Sequence, residues 1–283
     1  MDQSGVTTVS DANVAEINAV LAQRPIPGSQ VTSISNGVFP IGQIHTLASL
    51  KLDHHFNESN SLSFRYLYGQ DRESNSYGLS SGLIDVSGGG SLHMRDNSFL
   101  GDFVHIFSPT LLSETRYQYA IQYLSQPAND MTGPRVAISG VATWGRDVNF
   151  PVLLNENHNQ FQQSFSWTRG RHFIKFGTDI DHIAAHTSFP VTFAGSFTFS
   201  SLNSFTNGTA NTFSQGFGDP DIRLPETLLA FYFEDSFRIN SRLTLNYGLR
   251  YDYDMQPQGF KRDPNNPIEA PLDTGIPRDG NNF

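Results

Sequence analysis

Apolar and polar residues alternate with a period of two along most of this chain, in paired runs separated by a tight polar break. The clearest pair is TLLAFYFEDSFRI (227–239) followed by LTLNYGLRYDY (243–253). Pairing Ile239 with Leu243 puts Leu229, Phe231, Phe233 and Phe237 on one face with Leu245, Leu249 and Tyr251. Glu234 and Arg250 fall on the other face as diagonal neighbours, and Asp235 is a misfit on the apolar face, expected near a rim. Three similar units precede it: HTLASLKLDHHF (45–56) with SLSFRYLYGQ (61–70), NSFLGDFVHIF (97–107) with LLSETRYQYAIQY (111–123), and HNQFQQSFSW (158–167) with HFIKFGTDIDH (172–182). Side chains that change face at every residue are the mark of a strand, so eight strands in four antiparallel hairpins are predicted. In the first unit, pairing Phe56 with Leu62 sets Asp53 against Arg65, a favourable cross-strand pair. VTFAGSFTFS (191–200) is a possible ninth strand. Residues 11–24 are the one helix-like stretch: Val14, Ile17, Val20 and Leu21 recur at helical spacing, Asp11 or Asn13 can cap the start, and Pro25 and Pro27 end it.

Connection lengths sharpen the picture. The breaks within units are three or four residues, whereas the segments between units, 71–96, 124–157 and 183–226, are long. Strands of about ten residues, short turns at one end and long loops at the other are the sequence signature of an outer-membrane barrel. The predicted fold is therefore all-β: a partial antiparallel transmembrane β-barrel of about 8–10 meandering strands, with its greasy face on lipid and its polar face on a wet lumen. The expected division is an N-terminal loop and short-helix segment (1–43), a barrel segment (44–255) and an irregular tail (256–283). A soluble β-sandwich also alternates and is the rival, as a secreted or surface adhesion or carbohydrate-binding module. Its strands are usually nearer 5–6 residues. A self-contained porin is disfavoured by the small number of strands.

Composition agrees with β-structure carrying polar loops. Apolar residues make up only 37% of the chain, yet it holds 23 Phe and 10 Tyr, and no run approaches the ~18 apolar residues of a membrane helix. The net charge of -9 argues against nucleic-acid binding. Cysteine is absent, which removes disulfides, thiol nucleophiles and thiolate metal sites. Met1 is followed by neither a basic start nor an apolar core, so no secretion signal is read at the start.

The passage FYFEDSFRINSRLTLNYGLRYDY closely resembles a strand–turn–strand stretch of TonB-dependent outer-membrane receptors, in which an aromatic run, an acidic residue and a basic turn lead to LTLNYGLRY. LDHHFNESNSLSFRYLYG and RGRHFIKFGTDI resemble two further stretches of that family, in the expected order. The ensemble, from about residue 44 to 255, is most similar to the Oar-like branch. The resemblance implies a plugged barrel of about 22 strands. At the strand density seen here that needs roughly 580 residues, so an internal piece of a longer receptor is expected. The implied partners are outer-membrane lipid, the plug and remaining strands, and a periplasmic energy-coupling protein. The implied activity is ligand uptake or binding at the bacterial outer membrane.

Candidate chemistry is sparse. His182 and His186 have metal spacing only on a helix, and they fall on a strand; His54 and His55 are adjacent on a strand and point to opposite faces. Asp179 and Asp181, and Asp219 and Asp221, have nothing that converges them on a cleft. Gly88–Gly90 precede no helix pattern, and Asn207-Gly208-Thr209 is a frequent chance match. No cofactor, metal or catalytic residue is assigned. Phe205, Phe213 and Phe217, in a loop rich in Ser, Asn and Gly, are the candidates for contact with a carbohydrate, peptide or surface partner.

Overall fold

The computed structural model describes residues 9–36, 39–77 and 83–255. The expected tail, 256–283, lies outside these residues. The wall is a single antiparallel sheet of eight strands: β1 (Gly42–Asn57), β2 (Asn60–Tyr77), β3 (Gly90–Ser108), β4 (Leu111–Gln126), β7 (Val152–Arg169), β8 (His172–Ser188), β11 (Asp221–Arg238) and β12 (Thr244–Met255). They pair in that order as a meander, each with its sequence neighbour in the wall, and the sheet does not close; β1 and β12 are its edges. This is the partial antiparallel barrel that the alternation predicts. The strands run to between 12 and 19 residues, longer than the sequence pattern suggested, because polar residues continue the ladder past the last apolar one.

One end of the wall is turned by minimal hairpins. Glu58-Ser59, Pro109-Thr110 and Gly170-Arg171 are each two-residue turns. Gly170 takes a φ of +62°, a left-handed conformation that glycine adopts without a Cβ clash, at the first loop position of its hairpin. The first hairpin corrects the expected register. Asn57 pairs with Asn60, and its side chain accepts from the Ser59 N–H at 2.9 Å and the Asn60 amide at 2.8 Å, an Asx-type closure. Phe56 is left as the bulged residue, so the pairing slips by two: Asp53 faces Ser63 rather than Arg65, and takes its ion pair from Lys51 two residues away at 2.8 Å. A slip of two leaves every face assignment intact. In the last hairpin the register is the expected one, with the Ile239 N–H bonded to the Leu243 carbonyl at 3.0 Å.

The two faces differ chemically along their whole length. Leu52, Phe64, Tyr117, Phe161, Ile180, Leu229 and Tyr253 share one row across the outward face. Phe231 is 53% exposed and Tyr251 47%, so these side chains are not the centre of a sandwich; no second sheet among the described residues covers them. Asp235, the misfit, is nearly buried on this face beside the short turns. His172 Nδ1 and the Tyr247 hydroxyl reach its carboxylate at 2.6 and 2.7 Å, which is what makes it tolerable there. Further from the turns the outward face becomes polar: on β7, Phe161 gives way to Asn159, Asn157 and Asn155, and on β8 Ile180 gives way to His182. About 9–11 residues cross the hydrocarbon, so the long-loop ends of these strands project beyond it.

Over those ends sits a small cap with its own core. It combines α1 (Asp11–Gln23), the short strands β5 (Arg135–Ile138), β6 (Ala142–Trp144), β9 (Ser196–Phe199) and β10 (Thr212–Ser214), and α2 (Leu202–Thr206). The strands form a second sheet in the order β10-β9-β5-β6, with β5 and β9 parallel. The possible ninth strand, 191–200, is thus the cap strand β9 preceded by a turn. Helix α1 is capped by Ser10, whose hydroxyl accepts from the Asn13 N–H, rather than by Asp11 or Asn13. Ile17 and Leu21 enter a core with Ile34, Val136, Ile138, Trp144 and Phe199. The Asn18 side chain pairs with both the N–H and the carbonyl of Ile34, fixing the extended segment after α1 against it.

Two outcomes check this architecture. Ile138→Ala should destabilise the cap by about 2–5 kcal/mol, with amide-exchange protection falling in β5 and β9 and unchanged in β7 and β8. Phe233→Arg, on the lipid face, should cost about 2–4 kcal/mol of stability in a bilayer, whereas Gln162→Arg on the opposite face should cost well under half as much in the same urea titration.

Candidate functional site

The lumen face of the wall is where charge converges. One row crosses all eight wall strands and carries Asp53, Asp102, Arg116, Gln162, Asp179 and Asp252 among its members. Period-two geometry puts these residues on the lumen face because their neighbours in sequence, such as Leu52, Phe103, Tyr117 and Phe161, take the lipid face. Arg116 bridges two strands: its Nε is 3.2 Å from Asp102, and its Nη2 meets Glu114. Asp179 is held by two amides, Gln160 and Gln162, each at 3.0 Å. His158 lies between Glu156 at 2.6 Å and Asp181 at 3.2 Å. Arg250 pairs with Asp252 at 2.8 Å. The belt is rich in acid, with Asp53, Asp102, Asp179, Asp181, Asp252 and Asp254 set against Lys51, Arg65, Arg116 and Arg250: each ion pair is partly exposed and worth at most about 1 kcal/mol, but together they fix the orientation of the polar face.

Two open hollows lie along this face. One, of about 530 Å³, is lined by Lys51, Arg65, Asp102, Arg116, Gln118 and Gln160. The other, of about 730 Å³, lies nearer the long loops and is lined by Leu47, Leu67, Gly69, Ser98, Gln122 and His158. Leu47 is 86% exposed within it. One oxygen each of Asp102, Asp181 and Asp254 is shielded from solvent with no donor among the described residues. The wall therefore presents shielded acceptors, an arginine and bare leucines on a concave surface, chemistry suited to packing against a polar body rather than to bond-making.

The residues singled out in the sequence scatter. Phe205 is buried, 2% exposed, against Trp144 and Phe199 with ring centres 5.3 and 5.2 Å apart; it belongs to the cap core and not to an exposed loop. Phe213 (52% exposed) packs one side on Phe197, and Phe217 (82% exposed) stands clear. His182 and His186 sit on β8, the first bonded to Thr227 and the second 3.8 Å from Asp221, and a four-residue strand spacing of about 13 Å separates them. His54 stacks edge-on against Phe56. Asp219 accepts from the Asp221 N–H as a turn. Gly88 and Gly90 line the approach to β3, with Gly90 packed against Phe150. Asn207 caps the end of α2. Sequence reasoning missed β5 and β6, although V-A-I-S-G-V-A-T-W carries its own alternation about a Ser-Gly break, the signal of a short hairpin.

Residues 7–266 match the family model described as "Outer membrane beta barrel domain". The chain belongs to that family. Its barrel segment accordingly resides in the outer membrane, with the apolar face on lipid. No curated protein matches the sequence. Among solved structures, the chain is similar to the outer membrane transporter YddB from Escherichia coli, at 13% identity and a TM-score of 0.55 over 76% of this chain and 28% of that one. It is also similar to P. aeruginosa FpvA bound to heterologous pyoverdines, at 14% identity and a TM-score of 0.51 over 76% of this chain and 30% of that one. Both likenesses are of fold, and the chain spans less than a third of either protein's length.

Gly177 tests the packing of the lumen face. A Cβ there would lie 2.2 Å from the Gln163 carbonyl and 2.9 Å from the Tyr232 hydroxyl, and the carbonyl is held in the ladder. Gly177→Ala should lower stability by about 1–3 kcal/mol, while Gly101→Ala, which meets nothing within 4 Å on the lipid face, should be neutral or better in the same thermal melt.

Proposed function

We propose that this chain is part of the barrel wall of an energised outer-membrane transporter of the TonB-dependent kind, in its Oar-like branch. On this reading residues 44–255 hold the barrel strands and the cap loops between them, and 1–43 are a segment leading into them. The observation that carries the proposal is the combination of an unclosed eight-strand wall with a polar, hollowed lumen face. In hydrocarbon an unpaired strand edge leaves N–H and C=O groups that cost several kcal/mol each, so β1 and β12 need partner strands. The polar belt and exposed Leu47 and Leu67 suit contact with a plug in the lumen. Ligand would be caught at the long-loop end, where Phe213 and Phe217 remain exposed, and its uptake would be driven through the plug by a periplasmic coupling protein. The residues supply binding and support; we assign them no bond-making step and no cofactor. The likeness to FpvA makes a metal-chelate ligand one reasonable class to test, beside peptides.

The experiment is uptake by intact cells, with the gene present or deleted, over a panel of labelled ferric chelates and oligopeptides. Loss of uptake on deletion, and again on collapsing the proton gradient, is the expected outcome. Uptake that survives loss of the gradient would make the protein a passive pore. Recovery of a monodisperse monomer in plain buffer would overturn the membrane-wall reading. Phe213→Ala with Phe217→Ala should reduce uptake of the ligand so identified about tenfold, with the protein still present in the outer membrane.

A further inference from the structure

We propose that the outward face of β2, β3 and β4, just beyond the lipid band on the long-loop side, is a binding site for the phosphate group of an outer-leaflet lipid. Register builds the site. Arg72 lies directly opposite His93, Gln70 opposite Arg95, and Arg95 opposite Tyr123. Directly opposed side chains stand about 4.5–5.5 Å apart at Cβ. These five residues alternate in step with Tyr66, Phe99 and Tyr119, so they share the lipid-facing side. They frame a hollow of about 540 Å³. Arg95 is braced by the Tyr123 ring, its guanidinium carbon 5.9 Å from the ring centre.

The cluster is unneutralised. Arg72, His93 and Arg95 are all exposed, and no carboxylate pairs with them among the described residues. The acids adjacent in sequence, Asp71, Glu73 and Asp96, alternate to the lumen face; Asp71 also lines the hollow, and it is engaged by His45 at 2.5 Å. That contrasts with Arg116 and Arg250 on the lumen face, each of which is matched by a carboxylate. Arg72 and Arg95 are diagonal neighbours, about 7–8 Å apart, within reach of one phosphate, whose oxygens guanidinium forks engage bidentately.

Depth points to a lipid rather than a free anion. The outward apolar side chains run on through Ile121 to Tyr123 on β4, level with Arg95, but they end at Tyr68 on β2 and at Phe99 on β3. Arg72 and Arg95 lie four residues beyond them, about 13 Å of strand, or roughly 10 Å of height at a 35–45° tilt. Arginine stems reach back towards the membrane and hold their heads at the interface, which sets the two guanidinium groups at headgroup level. Immediately below, the Tyr66 and Phe99 rings lie 4.6 Å apart at their centres and form an apolar wall along which acyl chains can lie.

The test uses the full chain purified in an uncharged detergent, titrated with dioleoyl phosphatidic acid, dioleoyl phosphatidylcholine or inorganic phosphate alone. Saturable binding of phosphatidic acid at least tenfold tighter than either comparison is expected. The double variant Arg72→Gln/Arg95→Gln should weaken it tenfold or more, while Arg238→Gln/Arg242→Gln, the same charge change at the short-turn end, should leave it unaltered. Equal affinity for phosphatidylcholine, equal loss in both double variants, or inorganic phosphate binding as tightly as the lipid would each overturn the site. Should the first variant fail to fold, a photoactivatable phosphatidic acid on the unchanged chain decides: crosslinks must fall on β2–β4, and crosslinks on β7–β11 instead would sink the assignment.

Discussion

Everything in this molecule depends on the backbone ladder. A chain that enters hydrocarbon must satisfy its own N–H and C=O groups, and among strands only continuous pairing does so. The eight wall strands meet that demand by pairing with neighbours over nearly their whole length, with breaks in register confined to the bulges near the tight turns and to the far end of β2. The same demand makes the two edges, β1 and β12, the points at which the wall must continue. Once the ladder is fixed, the side chains have only two directions to go, and all further chemistry is a matter of which residues fall on which side.

The two sides then answer to different solvents. The outward face carries leucines, phenylalanines and tyrosines over the span of the hydrocarbon and turns to asparagine, histidine and arginine above it. The lumen face holds its arginines Arg116 and Arg250 in local pairs, with Asp102 and Glu114 and with Asp252, within a belt where carboxylates outnumber cations. Asp235 is the exception that shows the rule: a carboxylate on the greasy side persists because His172 and Tyr247 supply donors next to the turns. The cap is a third environment. Its core, centred on Trp144, draws on a helix before β1 and on loops between wall strands, so that long connections become a packed body over the mouth of the wall.

The wall was legible in the sequence because its determinant is local. A period of two is written residue by residue, and a tight turn is written in two or three residues, as Gly170-Arg171 and Pro109-Thr110 show. The register of the last hairpin followed from Ile239 and Leu243 alone. The register of the first did not, because Asn57 closes the turn with its own side chain and pushes Phe56 out as a bulge; that outcome weighs a side-chain bond against a strand pair, and alternation says nothing about it. The cap was largely illegible. Its strands are three or four residues long, and β5 pairs with β9, some sixty residues away. Phe205 looked like an exposed loop aromatic for the same reason: nothing near it in sequence reveals that Trp144 and Phe199 come to meet it.

By itself the sequence determined the meander, the identity of the two faces and the end of the wall that carries the long loops, since each follows from spacing along one stretch of chain. Only the tertiary structure decided which loops pack into a cap, which carboxylates share an arginine, and that Arg72, His93 and Arg95 gather on the outward side. Those outcomes depend on the pairing of strands far apart in the chain, and the free energy of such contacts is set by which surfaces meet in space.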